Sequence, residues 1–184
     1  ALIRRGVEVH VFNQRSVAEI LRMLRTLGGM IGCEAKTTAL VAGLEDGRAG
    51  IRAAAAQLER RPRVYFEEWD EPQISAIRWV SELIGVAGGD DIFPELATQS
   101  LGRERIVADA LEVPRRAPDL IFGSWCGKKF SPRAVASRSG WSACTLAARC
   151  PFLPRVSRPS MRWWVPARPP RPRPGLRNAP SRTT

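Results

Sequence analysis

Apolar and polar positions alternate from Val7 to Phe12 (VEVHVF), with β-branched residues at every second place after a turn at Gly6. A period of two predicts a strand. At Ser16 the period changes. Val17, Ile20, Leu21, Leu24 and Leu27 share one face of a helix that ends at Gly28-Gly29. Ser16 followed by Glu19 is a capping box, which opens that helix. From Glu34 to Arg60 an alanine-rich stretch contains no proline. At a rise of about 1.5 Å per residue, such a helix would run on the order of 40 Å. It reads as a packed surface helix or as a strut joining two lobes. The strand–helix units on both sides of it favour the strut.

Arg61-Pro62 ends that helix, and the stretch Arg63–Phe93 holds the most information. Val64, Tyr65 and Phe66 form a short apolar run, expected to be a strand that runs out into the acidic, aromatic loop Glu67–Glu71. Ile77, Val80, Leu83, Ile84 and Ala87 then repeat at helical spacing up to Gly88-Gly89. Pro94 begins a polar loop. A helix is expected over Arg103–Arg116, with Ile106, Val107, Ala110 and Val113 on its apolar side and Pro114 as a point where it would stop early. Asp119–Trp125 reads as a buried parallel strand, and Pro132–Ala136 as a weak helix. The fold class is therefore α/β. In open α/β sheets ligands gather at the carboxyl ends of strands, which here means Glu67–Asp70 and Ser124–Lys129.

Charge changes the picture only at the end of the chain. The formal net charge of +11 arises largely from residues 141–184, which hold nine arginines, no lysine and no acidic residue. The remainder has 20 basic against 18 acidic residues, an ordinary globular balance. The same 44 residues contain nine of the fifteen prolines and lack sustained periodicity, so they are expected to be disordered. Three accounts of this tail stay open: binding to nucleic acid or an anionic membrane surface, capture by a polyproline-reading module, or translation in a shifted frame. The abrupt break near Gly140-Trp141 favours the last. The chain begins with Ala1, inside what reads as a helix end, as a fragment or processed product would.

Catalytic chemistry is thinly represented. His10 is the only histidine, the four cysteines form no CxxC pair, and zinc-type spacing is absent. A small α/β enzyme using Glu67–Asp70 as acid and base would lack a nucleophile or a phosphate loop. Trp69 and Trp125 offer broad contact area with one donor each for a flat ligand, or else cap the core at strand ends. Cys126 lies beside Lys128 and Lys129, which would lower a thiol pKa; a small buried residue is the plainer reading.

The segments PRVYFEEWDEPQISAIRWVSELIGVAGGDDIFPEL and APDLIFGSWCGKKF, with VEVHVFNQRSVAEIL and RTLGGMIG before them, carry a resemblance over about residues 1–141. The chain resembles the substrate-binding proteins of bacterial ABC importers for vitamin B12 (cobalamin) and iron chelates, most of all a branch labelled cobalamin-binding. The resemblance implies two α/β lobes bridged by a long helix. Residues 1–32 would end the N-terminal lobe, 33–61 form the interlobe helix and 62–141 the C-terminal lobe, with 142–184 as the tail. It also implies that most of the N-terminal lobe is missing. Glu68, Trp69 and Asp70 would face the ligand, with Trp125, Cys126 and Lys128 on the next loop. Glu104 would dock onto an arginine of the membrane permease, and Asp91 and Phe93 would be structural. The implied ligand is a corrinoid or an iron chelate, and the implied partners are a permease and its ATPase. The protein would be a periplasmic, or membrane-anchored extracytoplasmic, monomer with no resident cofactor and no nucleic acid partner. The family would continue after Trp141 with a strand and a last helix, where this chain has its Arg-Pro tail. A rival reading is nucleic-acid binding through that tail.

Overall fold

The computed structural model describes residues 3–125, 127, 129–138 and 141. The tail from 142, and Cys126 and Lys128, lie outside the described residues. A 3-10 turn, Ile3–Arg5, leads to Gly6, whose φ of 72° reverses the chain. The next segment corrects the first expectation. Residues 7–15 have no regular secondary structure, and Val7, Val9, Val11 and Phe12 are all exposed, Val11 by 83%. Alternation fits a pleated surface, but a strand forms only against a partner. None pairs with this segment among the described residues.

Helix α1 spans Val17–Met30 and starts as expected. Ser16 Oγ accepts from the Glu19 N–H at 3.2 Å, while the Glu19 carboxylate accepts from the N–H groups of Ser16 (3.0 Å) and Arg15 (2.7 Å). Helix α2, Glu34–Ala55, is the long helix, shorter at its C-terminal end than the alanine pattern suggested. Its polypeptide continues through turns to Pro62. The two helices meet closely at Gly28, where a Cβ would lie 2.0 Å from Thr37 Oγ1. The Thr37 hydroxyl is itself held by donating toward the carbonyls of Cys33 and Glu34, each at 3.1 Å. Gly28→Ala should therefore lower stability by about 1–3 kcal/mol, and adding Thr37→Ala should recover part of the loss; paired urea melts check both.

The sheet is built around β1, Arg63–Asp70. On one side β4, Leu120–Gly123, runs parallel to it, from Val64↔Leu120 to Glu67↔Gly123. The other side is shared: β3, Asp90–Asp91, pairs in parallel with Arg63 and Val64, and β2, Gln73–Ser75, pairs antiparallel with Glu67–Asp70 through a bulge. Residues 67–70 are thus not a loop at a strand end. They continue the strand into a hairpin whose turn carries Glu71-Pro72, and the charged side chains do not prevent pairing because each face finds partners.

Helix α3, Arg78–Val86, connects β2 to β3. It ends at Gly88 (φ 83°), whose Cβ position lies 2.9 Å from Ala55 Cβ and 2.8 Å from Leu58 Cδ1, so the end of α2 abuts this turn. Arg60 reaches across to Asp119 in a two-pronged ion pair at 2.7 and 3.0 Å, and Asp119 also accepts from the Arg63 N–H at 2.8 Å. The Arg60 guanidinium, opposed by burial and helped by that N–H, holds the Asp119 carboxyl below its usual range.

Short α4, Pro94–Ala97, follows β3. The single helix expected over Arg103–Arg116 is instead a 3-10 turn, Gly102–Arg105, and a short α5, Glu112–Arg115. Between them Ile106 bridges Ile74, and the Val107 N–H donates to the Gln73 carbonyl at 2.9 Å. Pairing with the β2 edge keeps 106–107 extended. Pro114 is tolerated because it sits in the first turn of α5, where a helix has no use for the N–H. Helix α6, Pro132–Ala136, opens with Ser131 accepting from the Ala134 N–H.

The main core gathers Tyr65, Ile92, Phe93, Val107, Val113, Trp125, Val135 and Trp141. Asp91 and Phe93 have the structural roles expected of them: the Asp91 carboxylate accepts from the Phe93 N–H at 3.0 Å, and the Phe93 ring is 2% exposed. A smaller cluster joins Val17 and Leu21 of α1 to Val41 of α2, with Leu24 and Trp79 packed on it.

Candidate ligand-facing site

Consecutive strand residues point to opposite faces, and this separates Glu67 from Glu68. Tyr65, Glu67 and Trp69 share the face toward the main core. Glu67 is 0% exposed. Its carboxylate accepts two hydrogen bonds from Arg138, at 2.6 and 2.9 Å, and one from the Trp125 indole N–H at 2.9 Å. Burial opposes the Arg138 charge, but Glu67 more than offsets it and holds the guanidinium above its ordinary range. The phenol of Tyr65, on the same face, is pushed up by burial first and by the Glu67 charge second. Arg138 also lies 4.9 Å over the Trp141 ring.

Glu68 lies on the other face and is partly exposed. It pairs with Arg105, a guanidinium 3% exposed, at 2.6 and 3.2 Å. Arg105 donates as well to the Ser75 carbonyl at 2.6 Å, and Ser75 Oγ donates back to the Arg105 carbonyl at 3.3 Å. Glu68 therefore anchors the hairpin to the 3-10 turn. Trp69 is half-buried against the core, and its indole N–H donates to the Glu71 carbonyl at 2.9 Å. Asp70 is half-buried at the end of the strand.

Trp125 is buried, edge-on to Phe130 at 5.0 Å. Gly123 lets the Phe130 ring close over the end of β4, since a Cβ there would stand 1.9 Å from that ring. Glu104 is exposed on the 3-10 turn, where its carboxylate accepts from the Leu101 N–H at 3.1 Å. The structure thus brings Glu68, Trp69 and Asp70 together on one hairpin, with Trp125 packed behind it. The buried Arg105 and the partly buried Arg138 are the members that the sequence reading missed. The only signal was indirect: adjacent glutamates in a strand point to opposite faces, and the pattern does not say which residues meet them. A separate cleft of about 220 Å³ lies between Phe12–Gln14 and the α1 side chains Glu19, Arg22, Met23 and Thr26. Among the described residues no helix is long and apolar enough to cross a membrane.

Comparison with known proteins defines the class. The periplasmic binding protein family model matches residues 2–149, and the chain belongs to that family. Solved structures agree on the fold. A periplasmic haem-binding protein from Pseudomonas aeruginosa is 18% identical with a TM-score of 0.62, covering 80% of this chain and 54% of its own. A possible iron-binding, periplasmic solute-binding protein from Staphylococcus epidermidis is 17% identical with a TM-score of 0.60, covering 76% and 54%. An ABC transporter substrate-binding protein from Listeria monocytogenes is 16% identical with a TM-score of 0.59, covering 76% and 55%. The chain spans about half the length of these proteins. No curated protein sequence matches it.

Proposed function

We propose that this chain belongs to the substrate-binding component of an ABC importer, which captures cobalamin or a related corrinoid between two lobes and delivers it to a membrane permease with its ATPase. The family match over residues 2–149 carries the reading. Residues 1–32 and 33–61 then represent the end of one lobe and the interlobe helix, and 62–141 the other lobe. In this reading Trp69 and Asp70, at the end of the β1–β2 hairpin, meet the ligand. Glu68 contributes through its exposed part while Arg105 fixes it, and Trp125, Cys126 and Lys128 are the further ligand-binding candidates. The exposed Glu104 docks on the permease. The protein works as an extracytoplasmic monomer and performs no catalysis.

A second reading is supported by the haem-binding protein of P. aeruginosa and the possible iron-binding protein of S. epidermidis: the ligand is an iron chelate such as haem. Both ligands are broad, flat rings suited to an indole face. Titration of cyanocobalamin and of haemin, followed by visible absorbance, separates them. Cobalamin binding that weakens about tenfold in Trp69→Ala, the scale of losing one aromatic anchor, supports the corrinoid reading. Haemin binding alone supports the chelate. Binding of neither at micromolar concentration overturns both.

A further inference from the structure

The N-terminus of α1 is capped twice, and the second cap comes from far away in the chain. The Ser16–Glu19 box takes the Glu19, Ser16 and Arg15 N–H groups, and leaves the Val17 N–H without a local acceptor. That N–H donates to Glu82 Oε2, on α3, at 2.8 Å. The other Glu82 oxygen accepts from Arg78 Nε, one turn earlier, at 3.0 Å, so the carboxylate is aimed from behind. Trp79, beside Arg78, packs on the Val17, Leu21 and Val41 cluster, and Val41 belongs to α2. One turn of α3 thereby holds the start of α1 by a charge-assisted bond and both helices by an indole. At its other end α3 meets the last turn of α2 through Gly88.

We infer that Glu82 is a clasp that ties the start of α1 to α3 and, where α1 and α3 belong to different lobes, restrains the movement of one against the other. A carboxylate at a helix N-terminus meets both an orphan donor and the positive end of the helix dipole, so the clasp is stiff for its size. Its meaning as a hinge restraint rests on the two-lobe reading above; the bond itself does not. In a binding protein that closes on its ligand, such a clasp limits the opening angle.

Amide hydrogen exchange on the full chain tests it without any ligand. In Glu82→Ala, the Val17 amide and the first turn of α1 should exchange roughly five- to tenfold faster, the scale of losing one helix cap. The α3 segment 78–82 should loosen with it, while β1 and β4 stay as protected as before. Glu82→Gln keeps an acceptor oxygen but no charge and should fall between. Unchanged exchange at Val17 overturns the inference, and so does an equal acceleration across every segment, which would make Glu82 an ordinary stabilising residue. Failure of cobalamin and haemin to bind would remove the transport reading but leave this result standing.

Discussion

Replacing Glu67 with alanine is expected to lower the unfolding free energy by about 3 kcal/mol, because it leaves the partly buried Arg138 guanidinium and the Trp125 indole N–H without their acceptor. The carboxylate has no exposed surface and satisfies three donors, so water cannot take its place cheaply. Urea denaturation followed by tryptophan fluorescence reads the loss, and Trp125 reports the same site directly. Glu67→Gln, which retains shape and acceptor oxygen, should cost less than the alanine variant. The pair Glu67→Leu with Arg138→Met removes both charges and should recover most of the stability, since apolar replacements of a buried ion pair are often neutral. Equal destabilisation in the single alanine and the double variant would locate the effect in packing rather than in charge.

Phe93→Ala should be comparably severe, at about 3–5 kcal/mol for the loss of a fully packed aromatic. The ring stands edge-on to Tyr65 at 5.7 Å and carries the Arg116 guanidinium at 4.2 Å above its face. Arg116 is held there by Glu95 at 2.6 Å and Glu112 at 3.0 Å, so it does not follow the ring into the cavity. Phe93→Leu keeps much of the volume and should cost less than about 1.5 kcal/mol. Thermal melts of the two variants, compared with the parent chain, give the ratio. Near-equal losses would mean that the aromatic contacts, rather than filled volume, hold this corner.

The α/β class and several helices were legible because their causes are local. Ser16 and Glu19 satisfy each other within four residues, and Gly88 ends α3 by a backbone angle open to glycine. What was not legible depends on partners distant in sequence. Val7–Phe12 has a strand's alternation, yet alternation states only what a segment can do when a neighbour is present. Residues 103–116 have a helix's spacing, but Val107 is claimed by the carbonyl of Gln73 and Arg105 by Glu68. At the candidate site the residue types were visible and their faces were not. Glu67–Asp70 read as one acidic loop, whereas strand pleating sends Glu67 into the core and Glu68 to Arg105. The arginines that meet them lie 37 and 71 positions further along, beyond any periodicity argument.

That pair of glutamates also acts as a check on how β1 is threaded. A slip of one residue exchanges the faces of a strand. Moved one way, Glu68 would meet Arg138 but Trp69 would be set against Arg105. Moved the other way, Glu67 would meet Arg105 but Phe66 would be set against Arg138. Either mistake satisfies one of the two arginines and strands the other. Only one alignment answers both, so two neighbouring carboxylates with one arginine apiece make the chain discriminate between the correct threading and its two nearest errors.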